Sequence, residues 1–191
     1  MPSLRTFIAF DTPGSIREEI RELQSELKKS SADIRWEPSE KFHATIKFLG
    51  DTDEKKMPDV LARIQTIVKQ FPVFAITYAS LGCFPNRNNP RVIWLGCQNA
   101  DGALELLKTR LDVELLPLGF DIEDRRFHPH ITLGRVKSSR GLKNLTPMLE
   151  NLTFQPHHAM IKEILVMKSV LKREGSEYSI IKAIQLNVIQ E

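Results

Sequence analysis

Apolar residues recur along this chain with two periods, and the change from one to the other marks out the elements. Leu4 to Phe10 is rich in β-forming residues and reads as a first strand. In SIREEIRELQSELKKS the apolar positions are Ile16, Ile20, Leu23 and Leu27, spaced by 4, 3 and 4, which is one face of a helix. Asp11, Thr12 and Ser15 are candidate caps for it, and Pro13 suits its first turn. A short strand over Ile34 to Trp36 and the turn EPSEK lead into a longer strand, Phe42 to Leu49. Gly50 to Asp53 punctuates that strand and supplies caps for a second helix, whose apolar face is Met57, Val60, Leu61, Ile64, Ile67 and Val68.

Strands over Val73 to Leu81 and Val92 to Cys97 flank FPNRNNPR, a hairpin loop rich in proline and asparagine. A third helix carries Leu104, Leu107, Leu111 and Leu115 and ends near Pro117-Leu118-Gly119. A strand around His130 to Val136 comes next, followed by a loop at Ser138 to Gly141 and a shorter helix over Leu142 to Leu152. Two closing strands, Met160 to Leu171 and Tyr178 to Val188, are joined by the turn KREGSE. This mixture predicts an α+β fold with mainly antiparallel sheets flanked by helices, not a regular βαβ winding. The halves of the chain repeat roughly. The expectation is one domain over residues 1–191, made of two pseudo-symmetric lobes that face a central cleft.

Composition narrows the class without naming a chemistry. The chain has 191 residues, 41% hydrophobic and 27% charged, which is ordinary for a globular protein with a substantial core. Its net charge of +3 fits a phosphate-bearing partner but lacks the excess of a dedicated DNA coat. Two cysteines, Cys83 and Cys97, argue against a disulfide framework or a zinc ribbon and for a reducing compartment. The apolar run in MPSLRTFIAFD is short for a signal segment, and no run approaches the roughly 20 residues of a membrane span. A cytoplasmic location with no membrane partner is therefore expected.

The chemistry is concentrated in HATIKFLG and HPHITLGR, each a His-x-Thr in strand-like surroundings. Alternation sends His43, Thr45 and Lys47 to one face, with Phe42, Ala44, Ile46 and Phe48 on the core face. It likewise aligns His128, His130 and Thr132 opposite Pro129, Ile131 and Leu133. Each strand thus presents an imidazole and a hydroxyl about 7 Å apart. Imidazole titrates near neutral pH, and a β-branched hydroxyl can donate to a phosphate oxygen from few rotamers. Two such pairs across a cleft would clamp one phosphoryl group. One His would then take a proton from the attacking oxygen while the other gives one to the leaving oxygen.

Two other readings compete. A lone His-x-Thr is more often the polar face of a half-exposed strand, and it is the second copy, one per half, that favours a site. His128-Pro129-His130 has the spacing of some metal sites, yet zinc usually takes three or four ligands. No HExxH, cysteine cluster or dense carboxylate run accompanies it, and His157 and His158 in QPHH read as surface residues. No metal and no cofactor is expected.

These two motifs closely resemble the paired H-x-T-x signatures of the two-histidine phosphoesterase superfamily. Within it they resemble the RNA 2′,3′-cyclic phosphodiesterases, also called LigT-like proteins or 2′-5′ RNA ligases. The similarity runs through RTFIAFD, RWEPSEKFHATIKFLG, RVIWLG and KSVLKREGSEYSII, nearly the whole chain. The resemblance implies a bilobal α+β fold with the motif strands lining the cleft. It implies metal-free hydrolysis of a 2′,3′-cyclic phosphate at an RNA end to a 2′-phosphate, with 2′-5′ joining as the reverse. It makes His43 the donor to the departing 3′ oxygen and His130 the base that activates water, and gives Thr45 and Thr132 the non-bridging oxygens.

Arg135 closes the second motif as the family expects, and a guanidinium makes a good fork for phosphate oxygens. Strict alternation aims it at the core, so it reaches the cleft only if the strand bends or ends near Gly134. Some relatives carry arginine where His128 stands. The implied partner is RNA with a cyclic phosphate end, tRNA fragments among the candidates, or a cyclic nucleotide, and no protein partner is implied. Phe7, Phe42, Phe48 and Trp36 are candidates to stack on a terminal base. Arg87, Arg91, Arg125, Arg126, Lys137, Arg140 and Lys143 are candidates to hold the upstream backbone. The alternative from another class is a non-catalytic module that binds a nucleotide or RNA end in the same cleft without turnover.

Overall fold

The first strand, β1 (Ser3–Asp11), is apolar from Phe7 to Phe10 because both of its faces are covered. Ile8 and Phe10 join the main core, whereas Phe7 and Ala9 pack with Leu165 and Met167 on the other side. The computed structural model describes residues 3–173 and 175–188. Helix α1 (Gly14–Lys28) buries Ile16, Ile20, Leu23 and Leu27, the face its spacing predicts. The proposed side-chain caps are not used. Pro13 takes the N-cap place, and the Asp11 carboxylate instead accepts from Arg17.

After β2 (Ile34–Trp36), β3 spans His43–Asp53, longer than expected. Gly50 does not end it, because φ of 68° there lets the chain turn locally while Leu4–Thr52 and Ser3–Asp53 continue the pairing with β1. Asp53 then accepts from the Lys55 N–H and caps a short turn ahead of α2 (Met57–Val68). The chain continues through β4 (Phe74–Phe84), β5 (Val92–Gln98), α3 (Ala103–Leu115), β6 (His130–Val136) and α4 (Leu142–Asn151).

The predicted strand Met160 to Leu171 is two strands, β7 (His157–Ile161) and β8 (Glu163–Lys172), followed by β9 (Gly175–Gln185). β7 pairs with β4 and β8 with β1, near opposite ends of the strand order. One residue, Lys162, separates them, so the sheet must curl until its two ends lie side by side. Asn187 closes the gap by donating to the Phe71 carbonyl and accepting from Val73.

The expected α+β fold with antiparallel pairing is present, its described strands joined in one nine-stranded sheet ordered β7-β4-β5-β6-β3-β1-β8-β9, with β2 added alongside β6. The order is symmetric about the middle, running β6-β5-β4-β7 one way and β3-β1-β8-β9 the other. β3 and β6 share one paired position, Ala44 with Ile131, because β2 occupies the rest of that edge of β6. The helices and the inward face of the sheet form one core that includes Ala44, Ile46, Ile131 and Leu133. The opposite face of the two middle strands is left for chemistry.

Candidate active site

On β3, His43 and Thr45 are half-buried while Ala44 and Ile46 are buried, as alternation requires. Beyond Thr45 the pattern changes. β1 pairs Ala9 with Thr45 and Ile8 with Lys47, leaving Ile46 as the extra residue of a bulge. β6 repeats this, because β5 pairs Trp94 with Thr132 and Ile93 with Gly134, leaving Leu133 over. In both strands the inserted residue directly follows the motif threonine. Lys47, expected beside His43, is therefore 0% exposed, and Phe48, expected in the core, is 61% exposed. Arg135 is returned to the cleft by the same device, since the strand bends where it had to, next to Gly134.

The Ala44–Ile131 pair sets the register between the motifs. Carried one residue either way, it sets His43 across from Thr132 and Thr45 across from His130. The two imidazoles are then diagonal neighbours on one face, a relation that spans about 7–8 Å in a regular ladder. Both pairs line a cleft of about 800 Å³ together with Arg135, Arg126, Phe48 and Tyr178.

Each imidazole is backed by aromatic rings. His43 stands 5.0 Å from Phe7 and, edge-on, 5.0 Å from Tyr178. His130 stands edge-on to Phe84 at 5.0 Å and lies 6.2 Å from Trp94. Its Nδ1 is 2.7 Å from the His128 carbonyl. A carbonyl can only accept, so Nδ1 carries the proton and the neutral ring keeps its Nε2 lone pair free.

Burial sets the titration of both groups, because it disfavours the charged ring. It brings His43 down to about 4, against the opposing pull of the Lys41 backbone and with help from the charges of Arg17 and His130. It also lowers His130, which the His128 carbonyl partly offsets and the charges of His128 and Arg135 reinforce. An anion between the rings reverses this by supplying the missing counter-charge.

The surroundings fix these side chains from both flanks. Asp11 pairs directly opposite His43. The Arg17 guanidinium bonds the Thr12 carbonyl at 2.7 Å and also the Ser39 carbonyl and the Asp11 carboxylate, which secures the turn that precedes His43. On the other side Lys47 Nζ donates to Asp112 Oδ1 and to the Asp121 carbonyl, both at 2.7 Å. Lys108 meets Asp112 Oδ2 at 2.5 Å and Glu123 at 3.6 Å. This buried network ties β3 and α3 to the irregular segment 119–129, which carries Arg125, Arg126 and His128.

Of the basic residues flanking the motifs, Arg125 and Arg126 line the cleft, whereas Arg140 faces Asp33. Arg5, Lys41, Phe84 and Tyr178 also line it and were not singled out by the sequence. They come from four distant stretches of chain, and no local spacing links them. His157 and His158 lie on β7, where His157 pairs with Glu19 and His158 Nδ1 lies 2.9 Å from Thr77 Oγ1. Among the described residues no three His, Cys, Asp or Glu side chains gather as a metal ion would need.

Paired His-x-Thr strands meeting over one cleft of an antiparallel sheet define a two-histidine phosphoesterase. The chain belongs to the LigT-like phosphoesterase family, whose sequence model matches residues 10–94 and again 95–178. Each match contains one motif. The chain is 35% identical to an RNA 2′,3′-cyclic phosphodiesterase of Methanocaldococcus jannaschii, over 94% of this chain and 99% of that one. It is 32% identical to one of Thermotoga maritima, over 93% of each. A crystal structure of E. coli LigT with 3′-AMP matches with a TM-score of 0.77 at 25% identity, covering 97% of this chain and 99% of that one. A Thermus thermophilus structure shares the fold with a TM-score of 0.81 at 24% identity, covering 98% and 100%. No described helix is long and apolar enough to cross a membrane.

Proposed function

We propose that the protein hydrolyses the 2′,3′-cyclic phosphate at an RNA end to a 2′-phosphate, with His43 and His130 as its acid and base and without a metal. The observation that carries this reading is the diagonal of two half-buried imidazoles, each with a threonine hydroxyl directly across the strand junction. The curated relatives named as RNA 2′,3′-cyclic phosphodiesterases support it.

The neutral His130 takes a proton from water through its free Nε2 as the water oxygen bonds to phosphorus. The bond from phosphorus to the 3′ oxygen breaks, and protonated His43 delivers its proton to that oxygen. Thr45 and Thr132 donate to the non-bridging oxygens, and Arg135 offsets their charge. His43 gains its proton when the anionic substrate enters, since burial alone holds it neutral near pH 7. The 2′ oxygen makes the cyclic phosphate possible, so the reaction selects RNA over DNA. The same steps with a 5′ hydroxyl in place of water give 2′-5′ joining. Substrates are RNA ends, tRNA fragments among them, and nucleoside cyclic phosphates. The cytoplasm is the proposed setting, which the two free, buried cysteines suit.

The test is hydrolysis of a nucleoside 2′,3′-cyclic phosphate with and without chelator. Turnover should survive the chelator and fall about 10²–10⁴-fold in His43→Ala and in His130→Ala. Chelator-sensitive turnover would instead assign the chemistry to a metal. Binding of a 2′-nucleotide with no turnover would make the protein a binding module.

A further inference from the structure

Helix α1 buries five side chains, and four of them are apolar. The fifth is Gln24, 4% exposed on a face otherwise given to Ile16, Ile20, Leu23 and Leu27. A polar group at that depth destabilises the core unless it is bonded. Gln24 Nε2 donates to the Leu133 carbonyl at 2.8 Å and to the Glu37 carbonyl at 2.9 Å, which uses both protons of the amide nitrogen. The Leu133 carbonyl accepts a second bond, from the Glu37 N–H at 2.9 Å. Three stretches of chain, α1, the residue after β2 and the middle of β6, therefore meet at one carboxamide.

Both carbonyls belong to residues that aim Arg135. Leu133 is the extra residue of the β6 bulge, the irregularity that returns Arg135 to the cleft. Glu37 carries the carboxylate that stands 3.6 Å from the Arg135 guanidinium. From this junction we infer that Gln24 is a positioning residue for phosphate binding, acting through Arg135. The inference rests on the seat proposed above for the phosphate between His43 and His130. A bulge leaves its extra residue out of the strand ladder, so the buried carbonyl of Leu133 must be satisfied from elsewhere. Gly134 has no side chain to lock the bulge by packing, and a Cβ there would sit 2.7 Å from Ile34 and 3.0 Å from Trp36. β2 stops pairing at Trp36, opposite Gly134, and the carboxamide takes over one residue further on. With both carbonyls fixed, the guanidinium is held where it can meet Glu37 and a non-bridging oxygen together. Gln24 lies on the core side of the sheet, so its loss removes no substrate contact directly.

The test is a double-mutant cycle on adenosine 2′,3′-cyclic phosphate. Gln24→Met keeps the length of the side chain and removes both donors. It should raise KM about three- to tenfold, part of the effect of Arg135→Met, and leave kcat within about twofold, because the arginine binds ground and transition states alike. In an Arg135→Met background the same substitution should move KM by less than about twofold. Leu23→Ala loosens the same helix face without reaching the bulge and should leave KM unchanged. An unaltered KM in Gln24→Met, an equal rise in both backgrounds, or a rise matched by Leu23→Ala overturns the inference while leaving hydrolysis standing. A measurement without a Gln24 variant guards against misfolding. The Gln24 carboxamide protons, followed by NMR, should exchange slowly and shift when adenosine 2′-phosphate binds the wild-type protein but not Arg135→Met. A carboxamide signal indifferent to the nucleotide overturns the inference too. If the nucleotide binds without turnover, its Kd replaces KM in the same cycle and the same outcomes decide. If it neither binds nor turns over, the phosphate seat and the positioning role fall together.

Discussion

Lys47 and Asp112 form a buried ion pair, Nζ to Oδ1 2.7 Å, that joins the strand of the first motif to helix α3. The same ammonium holds the Asp121 carbonyl, so the approach to the second motif hangs from a residue of the first. Asp112 also serves Lys108, and its loss leaves two cations in a poorly hydrated site. Asp112→Ala should lower unfolding free energy by about 3–5 kcal/mol, the usual cost of breaking one side of a buried pair. Urea denaturation measures it, and a change below about 1 kcal/mol would contradict the network's role.

The pH dependence follows from the two lowered histidines. In the free protein burial lowers both histidines below the ordinary 6.5, His43 to about 4. Above 6.5 both rings are neutral and the acid is lost; at sufficiently low pH both are charged and the base is lost. The profile of kcat/KM should be a bell with its maximum on the acid side of pH 6.5. Bound phosphate raises both values, so the kcat maximum should lie at higher pH. A profile flat from pH 5 to 9 would rule out the pair.

Arg135 lies 3.6 Å from Glu37 and faces the cleft from the bulged end of β6. If it binds a non-bridging oxygen, Arg135→Met should raise KM about ten- to hundredfold, in line with a hydrogen bond to a charged group. Arg135→Lys should recover only part, since an ammonium lacks the planar fork. Steady-state kinetics on a cyclic nucleotide decide this, and an unchanged KM in Arg135→Met would remove the residue from the site.

Gly82 is a packing requirement of the second half-site. A Cβ built there would sit 2.3 Å from the Trp94 indole, which lies 4.5 Å from His128 and backs His130. The indole is too rigid to yield at its tip. Gly82→Ala should displace Trp94, shift its fluorescence and reduce kcat, and an unaltered spectrum with full activity would show that the ring is free to move.

Much of this was legible along the chain because it depends on near neighbours. The faces of α1, α2 and α3 follow from apolar spacing, and β6 begins and ends where its β-formers do. What was not legible depends on partners far away in sequence. Lys47 and Phe48 exchange environments because β1 skips Ile46, and nothing within HATIKFLG records that skip. The break at Lys162 arises because the two parts of one apolar run serve different ends of the sheet. Tyr178 reads as a strand residue, and only the curled order of the sheet brings it against His43.

The seam between the motif strands has one further consequence. With Ala44 and Ile131 as the single matched position, little backbone bonding crosses between the strands that carry the two imidazoles. An occupant gripped from both sides therefore acts as a rivet, and its affinity adds to the energy that resists unfolding. The loaded molecule should melt at a higher temperature than the empty one, by an amount that grows with the logarithm of ligand concentration.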